Sequence, residues 1–98
     1  MNGTGRWSFL TSHARVLMAI ARAPYMRVRD IASACCIAER TAQAAIADLE
    51  KAGYISRQRV GRRTRYEVHP ERGMRHPYEV SLSVSALLDL ATQQQEQS

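Results

Sequence analysis

Five arginines stand within nine residues: Arg57, Arg59, Arg62, Arg63 and Arg65, with Gly61 among them. A guanidinium group is planar, always charged and carries its donors in a fixed fork. It therefore matches the oxygens of a phosphate, or the edge of a guanine, two at a time. Cations this close repel one another, so a fold that gathers them calls for an external polyanion. A second set lies upstream: Arg40, Thr41, Gln43 and Ala44. Short or polar side chains with one guanidinium on an exposed helix face suit the reading of base edges in a major groove. The bland alternative, an ordinary solvated face, loses weight because a basic cluster follows so soon.

The other reactive side chains point elsewhere. Cys35 and Cys36 are adjacent, and neighbouring helix positions diverge by about 100°. They cannot comfortably share a metal, and no C-x-x-C or suitably spaced histidine accompanies them. Cys35 falls on an apolar face and reads as a packing residue. Cys36 falls at a turn, where a thiol is partly exposed. His13 has no partner at metal spacing and reads as a solvated or locally bonded side chain. There is no Ser/His/Asp or Cys/His constellation, no paired-carboxylate motif and no glycine loop shaped for phosphate. The expectation is a binding protein rather than an enzyme, with no cofactor and no metal.

Charge sharpens that expectation. The net charge is +5, with thirteen Arg and one Lys, Lys51. Residues 54–76 hold seven of the arginines against Glu67 and Glu71, whereas residues 77–98 hold three acids and no Lys or Arg. The polyanion contact is thus expected in the first of these blocks and not in the acidic tail. Ninety-eight residues allow one domain with a modest core. No apolar run approaches the ~18 residues of a membrane span, and the start MNGTGRWSFL does not read as a signal peptide. Both absences point to the cytosol, with no membrane partner.

The elements that must position these residues follow from periodicity. Val28, Ile31, Ala32 and Cys35 recur at i, i+3, i+4 and i+7, which puts them on one helix face. Cys36, Ile37 and Ala38 break the period, with Ile37 as a pin inside the turn. A second face follows at Ala42, Ala45, Ile46, Leu49 and Ala52, closed by Gly53 at the C′ position. Two short helices with a tight turn make a helix-turn-helix, whose second helix inserts its N-terminal end in a major groove. The N-cap of that helix is Ala38, which offers no acceptor, so its first N–H groups are left for water or a phosphate.

An earlier helix, capped by Thr11 or Ser12 and ended by Pro24, carries Val16, Leu17, Ile20 and Ala21. The connector Tyr25, Met26 and Arg27 is placed to pair as a third strand beside a later hairpin. That hairpin runs from Tyr54 to His69, with Tyr66 and Val68 alternating with Arg65 and Glu67 and Gly61 at the turn. A linker with Pro70, Gly73 and Pro77 leads to a last helix. Its stripe (Val84, Leu87, Leu88 and Ala91) either covers the core or pairs with a second copy, and pairing is the favoured reading. The division expected is an arm (1–10), a DNA-binding domain (11–70), a linker (71–80), and a dimerisation helix with a polar tail (81–98). The fold class is mainly α with a small β-hairpin (α+β).

The ordered set resembles the bacterial winged helix-turn-helix transcription regulators of the MarR and ArsR kind. It is carried by SHARVL (12–17), RDIA (29–32), ERTA (39–42), ADL (47–49), AGY (52–54) and GRRTRY (61–66), over about residues 10–70. The resemblance implies a homodimer that reads a palindromic operator in double-stranded DNA. It also implies that Arg40, Thr41, Gln43 and Ala44 hold base-reading positions, and that Arg62 and Arg63 hold the wing tip. The chain departs from the pattern in two places: Cys36 stands where Gly is usual, and Ala38 where a capping Thr is usual. The metal motif of the ArsR kind is absent. A winged helix used as a protein-docking module and a thiol- or metal-responsive sensor are the alternatives.

Overall fold

The computed structural model describes residues 8–73 and 83–89. Three helices, α1 (Ser12–Arg22), α2 (Val28–Cys35) and α3 (Glu39–Lys51), are followed by a hairpin of β1 (Ile55–Val60) and β2 (Arg63–Val68). Residues 84–89 form a further helical segment. Thr11 starts α1 as the expected cap: its Oγ1 accepts from the Ala14 N–H at 3.2 Å. None of the three helices is long enough to persist alone in water, so each depends on its apolar face. Those faces meet in one core. Val16, Leu17 and Ile20 come from α1, Ile31, Ala32 and Cys35 from α2, and Ala42, Ala45, Ile46 and Leu49 from α3. Tyr54, Ile55, Tyr66 and Val84 close it. Fully burying a side chain such as Ile20 or Ile31 contributes about 1.5–3 kcal/mol. The alanines of α2 and α3 let two helices pack side by side with little between them.

The turn between α2 and α3 forms although it lacks glycine. Cys36 adopts φ 58° and ψ 45°, the left-handed region. The Ile37 N–H reaches back to the Ala32 carbonyl at 3.0 Å, and the Cys36 N–H to the Ser33 carbonyl at 3.2 Å. This is the Schellman arrangement, which satisfies carbonyls that the helix end leaves unpaired. Arg15 adds to it from α1: its Nη1 donates to the Cys35 carbonyl at 3.0 Å. Ile37 is half-buried against the core, as its place in the turn predicts.

The hairpin closes through a two-residue loop, since Val60 pairs with Arg63. Gly61 has φ +62° while Arg62 does not have positive φ, which is the φ pattern of a type II′ turn. Two expectations are corrected here. The connector 25–27 is not a third strand, because the sheet of the described residues has two strands. The Met26 N–H bonds the Ala23 carbonyl at 3.1 Å, so the chain curls at Pro24 and Tyr25 and turns into α2 three residues later. One hydrogen bond to the sheet edge survives, from the Tyr66 N–H to the Pro24 carbonyl at 2.9 Å. The second correction concerns the last helix. Val84 is buried in the core of its own chain and Leu88 packs against it, so that part of the stripe does not face outward. Leu87 is half-buried, and Ala91 lies outside the described residues.

The start of the expected linker is a strap rather than a free tether. The His69 N–H bonds the Tyr54 carbonyl at 2.8 Å, the Val84 N–H the Arg72 carbonyl at 3.2 Å, and the Ser85 N–H the Pro70 carbonyl at 3.1 Å. Gly73 and Ser83 form an isolated antiparallel bridge. Residues 74–82 lie outside the described residues.

Candidate nucleic-acid interface

The fold puts one sequence-selected set on the N-terminal turns of α3 and the other on the hairpin that follows its C-terminal end. Arg40, Thr41, Gln43 and Ala44 are all exposed near its N-terminal end. Ala38 makes no side-chain capping bond, so the first-turn N–H groups of α3 point out unpaired by a cap. The helix dipole adds positive character there, offset in part by the exposed carboxylate of Glu39 in the same turn. Arg40 has no carboxylate partner among the described residues. The outward surface of α3 continues with Ala47, Asp48 and Lys51, and no large apolar side chain stands on it.

The wing arginines do not form one surface. Cross-strand partners share a face, so Arg57 and Tyr66, with Arg59 and Thr64, lie on the face that carries buried Ile55. Arg65 (opposite Gln58) and Arg63 (opposite Val60) lie on the other. Arg62 occupies the tip. This split relieves much of the repulsion anticipated for five clustered cations. Further relief comes from two partners that the sequence did not single out. Arg57 Nη2 and Nε both meet Glu50 Oε1, at 2.6 and 3.1 Å. The guanidinium holds the Glu50 carboxyl below its usual range, and Glu50 in turn raises Arg57. Arg57 is therefore a strut between the end of α3 and the wing. The guanidinium of Arg63 lies over the ring of Tyr25, 5.9 Å from its centroid, a cation–π distance. Arg59, Arg62, Arg63 and Arg65 have no carboxylate partner among the described residues, which leaves four cations at the wing for an external anion.

Tyr25 and Glu50 were not found from the sequence because each acts through a contact between separate elements. Nothing in the spacing of Glu50 and Arg57, or of Tyr25 and Arg63, marks them as neighbours. The remaining titratable side chains fit structural roles. Cys35 is buried and its thiol is pushed up by burial, against the opposing charge of Arg15. Cys36 is exposed. His13 Nε2 stands 2.8 Å from Asp48 Oδ2 and joins α1 to α3 at the surface. Among the described residues no three His, Cys, Asp or Glu side chains come together to hold a metal ion, and no helix is long and apolar enough to cross a membrane.

The MarR family matches residues 8–65, from the entry to α1 through most of the hairpin. The chain belongs to the MarR family. The matched span holds the helix-turn-helix and the basic wing, the two parts built above from residue types. No curated protein matches the sequence. Among solved structures, this MarR-family chain is similar to MepR, a transcription regulator of the Staphylococcus aureus multidrug efflux pump MepA. The TM-score is 0.56 at 17% identity, over 89% of this chain and 61% of that one. The likeness is one of fold, and the chain spans about three-fifths of the length of MepR.

Proposed function

We propose that this MarR-family chain is a sequence-specific double-stranded DNA-binding transcription regulator, and a binding protein rather than an enzyme. The observation that carries the reading is the uncapped N-terminal end of α3, with Arg40, Thr41, Gln43 and Ala44 exposed, on a chain whose wing arginines, Arg57 apart, lack carboxylate partners among the described residues. Arg40, Thr41, Gln43 and Ala44 supply base contacts in the major groove. Arg59, Arg62, Arg63 and Arg65 supply phosphate or minor-groove contacts, and Arg57, engaged by Glu50, sets the wing's angle before any contact of its own. Residues 11–70 are the DNA-binding unit. The segment after it carries a homodimer contact: Val84 and Leu88 fasten it to the core of its own chain, so that of the apolar stripe the contact with a second copy falls to Leu87 and Ala91. Two-fold symmetry would set the recognition helices about one DNA turn apart, ~34 Å, and select a palindrome. The docking-module reading finds no support, since α3 presents polar and small residues where such a module needs an apolar patch.

The test is selection of bound duplexes from a randomised pool, followed by sequencing, at near-physiological salt. A palindrome is expected. Salt-sensitive binding to every duplex with nothing enriched would overturn specific readout. Arg40→Ala should then relax preference at one base position, at a cost of about 1–3 kcal/mol on the selected site. Equal losses on selected and random duplexes would reduce Arg40 to a phosphate anchor.

A further inference from the structure

Between the wing and the start of α2 lies a surface cleft of about 260 Å³, lined in part by Tyr25, Arg27, Arg62, Arg63, Thr64 and Tyr66. It exists because the connector curls away at Pro24 and leaves the outer edge of β2 open. The register shows what that edge offers. Val60 and Arg63 flank the two-residue loop and form a hydrogen-bonded pair, so Thr64 and Tyr66 belong to the alternate pairs whose N–H and C=O groups point away from β1. The Tyr66 N–H is satisfied by the Pro24 carbonyl. The backbone groups of Thr64 face the same side with no strand beside them.

The charge of the cleft is uneven. Arg27 Nε is neutralised by Asp30 Oδ2 at 2.9 Å. Arg62 and Arg63 have no carboxylate partner among the described residues, and the ring of Tyr25 lies under the guanidinium of Arg63. An aromatic face fixes a guanidinium without cancelling its charge. Two uncompensated guanidinium groups, one of them fixed in place, and an open strand edge suit a singly charged oxyanion with several acceptor oxygens. We propose that this cleft seats one phosphodiester of the DNA backbone, with Arg62 and Arg63 as its cations and Tyr25 as the residue that positions Arg63. The inference rests on the DNA-binding reading above. It deepens that reading by bringing in Tyr25 and Thr64 and by placing the phosphate on the α2 side of the wing. In helix-turn-helix docking the first helix of the pair crosses the backbone, which brings the start of α2 to the required strand.

The experiment measures affinity for a random-sequence duplex as a function of salt, because phosphate contacts are independent of sequence. Each lost phosphate contact lowers the slope of log affinity against log salt by about 0.9, equivalent to a roughly threefold smaller loss of affinity between about 50 and 200 mM salt. Arg62→Ala and Arg63→Ala are expected to lower the slope, and Tyr25→Leu to lower it by up to as much as Arg63→Ala. Tyr25→Phe, which retains the ring, should retain the slope. Adding Tyr25→Leu to Arg63→Ala should change nothing further. A full slope in Tyr25→Leu, or an additional loss in the double variant, overturns the positioning role. Unchanged slopes in both arginine variants, with the wild-type chain binding normally, overturn the cleft while leaving DNA binding intact. A wild-type chain that binds no duplex overturns both. Tyr25 is 41% exposed, so its variants leave the core untouched.

Discussion

At its C-terminal end α3 is tied to everything around it. Glu50 holds Arg57 of the wing, and the Tyr54 hydroxyl donates to the Gly73 carbonyl at 2.6 Å. A Cβ built on Gly53 would lie 2.7 Å from the Arg72 guanidinium, so the strap rests directly on the turn. At its N-terminal end there is no side-chain cap, and the residue at the head of the preceding turn, Cys36, is exposed. Both ends are nonetheless bracketed by the same motif. The Tyr54 N–H bonds the Leu49 carbonyl at 2.9 Å, and the Gly53 N–H the Glu50 carbonyl at 3.1 Å, repeating the pattern of Ile37 and Cys36. The left-handed residue is Gly53 at φ +87° in one and Cys36 at φ 58° in the other. One turn thus stands at both ends: behind α3 it fixes the wing to the helix, and ahead of α3 it delivers the chain to a helix start that Ala38 leaves without a side-chain cap.

The tied end is broken hardest by Tyr54→Ala. Loss of a buried aromatic with its hydroxyl contact is expected to cost about 3–5 kcal/mol, read from urea unfolding; a loss below about 1 kcal/mol would show that the strap holds that end without it. Gly53→Ala comes next. An L-residue in the left-handed region costs about 1–2 kcal/mol, and the new methyl must also displace the Arg72 guanidinium. The converse change at the open end, Cys36→Gly, should stabilise by up to about 1 kcal/mol, the gain being trimmed by the larger entropy of glycine in the unfolded chain. Destabilisation by Cys36→Gly would mean that the cysteine side chain contributes to the turn, and the two turns would cease to be equivalents. The smallest effect is at Glu50. Its pKa is lowered in the folded chain by Arg57, so the stability that it contributes is present above the ordinary carboxylate range and is lost as the pH falls through the lowered value. The pair is well exposed and screened, so Glu50→Gln should cost below about 1 kcal/mol and flatten the acid limb of the stability profile; an unchanged acid limb would remove the strut.

Much of this layout could be read from residue types alone. The ends of α2 and α3 followed from apolar periodicity, from Ala38 as a bare cap and from Gly53 as a closing residue, because local geometry decides them. A turn at Cys36 was legible from the break between two helical faces; its left-handed conformation was implied only by the resemblance, in which Gly is usual there, and the residue type argues against it. The two-faced wing was half legible. Alternation puts Arg57 and Arg59 on one side of their strand and Arg63 and Arg65 on one side of theirs, but only the two-residue loop fixes how the strands face each other. The third strand was misjudged because the bond from Met26 to Ala23 curls the connector, and a tripeptide does not announce a turn made with its predecessors. The stripe at Val84 was ambiguous for a different reason. An apolar face states that it will be covered, not by what, and here the core of the same chain covers its first residue. Tyr25 and Glu50 were invisible since their partners come from other elements.

The exposure of Cys36 has a practical side. The chain has two cysteines, and the other, Cys35, is enclosed in the core. A maleimide dye offered to the native protein would therefore mark one atom, three residues ahead of the start of α3 and held by a turn of defined backbone geometry. Fluorescence from that position would follow the approach of a duplex without any engineered attachment point.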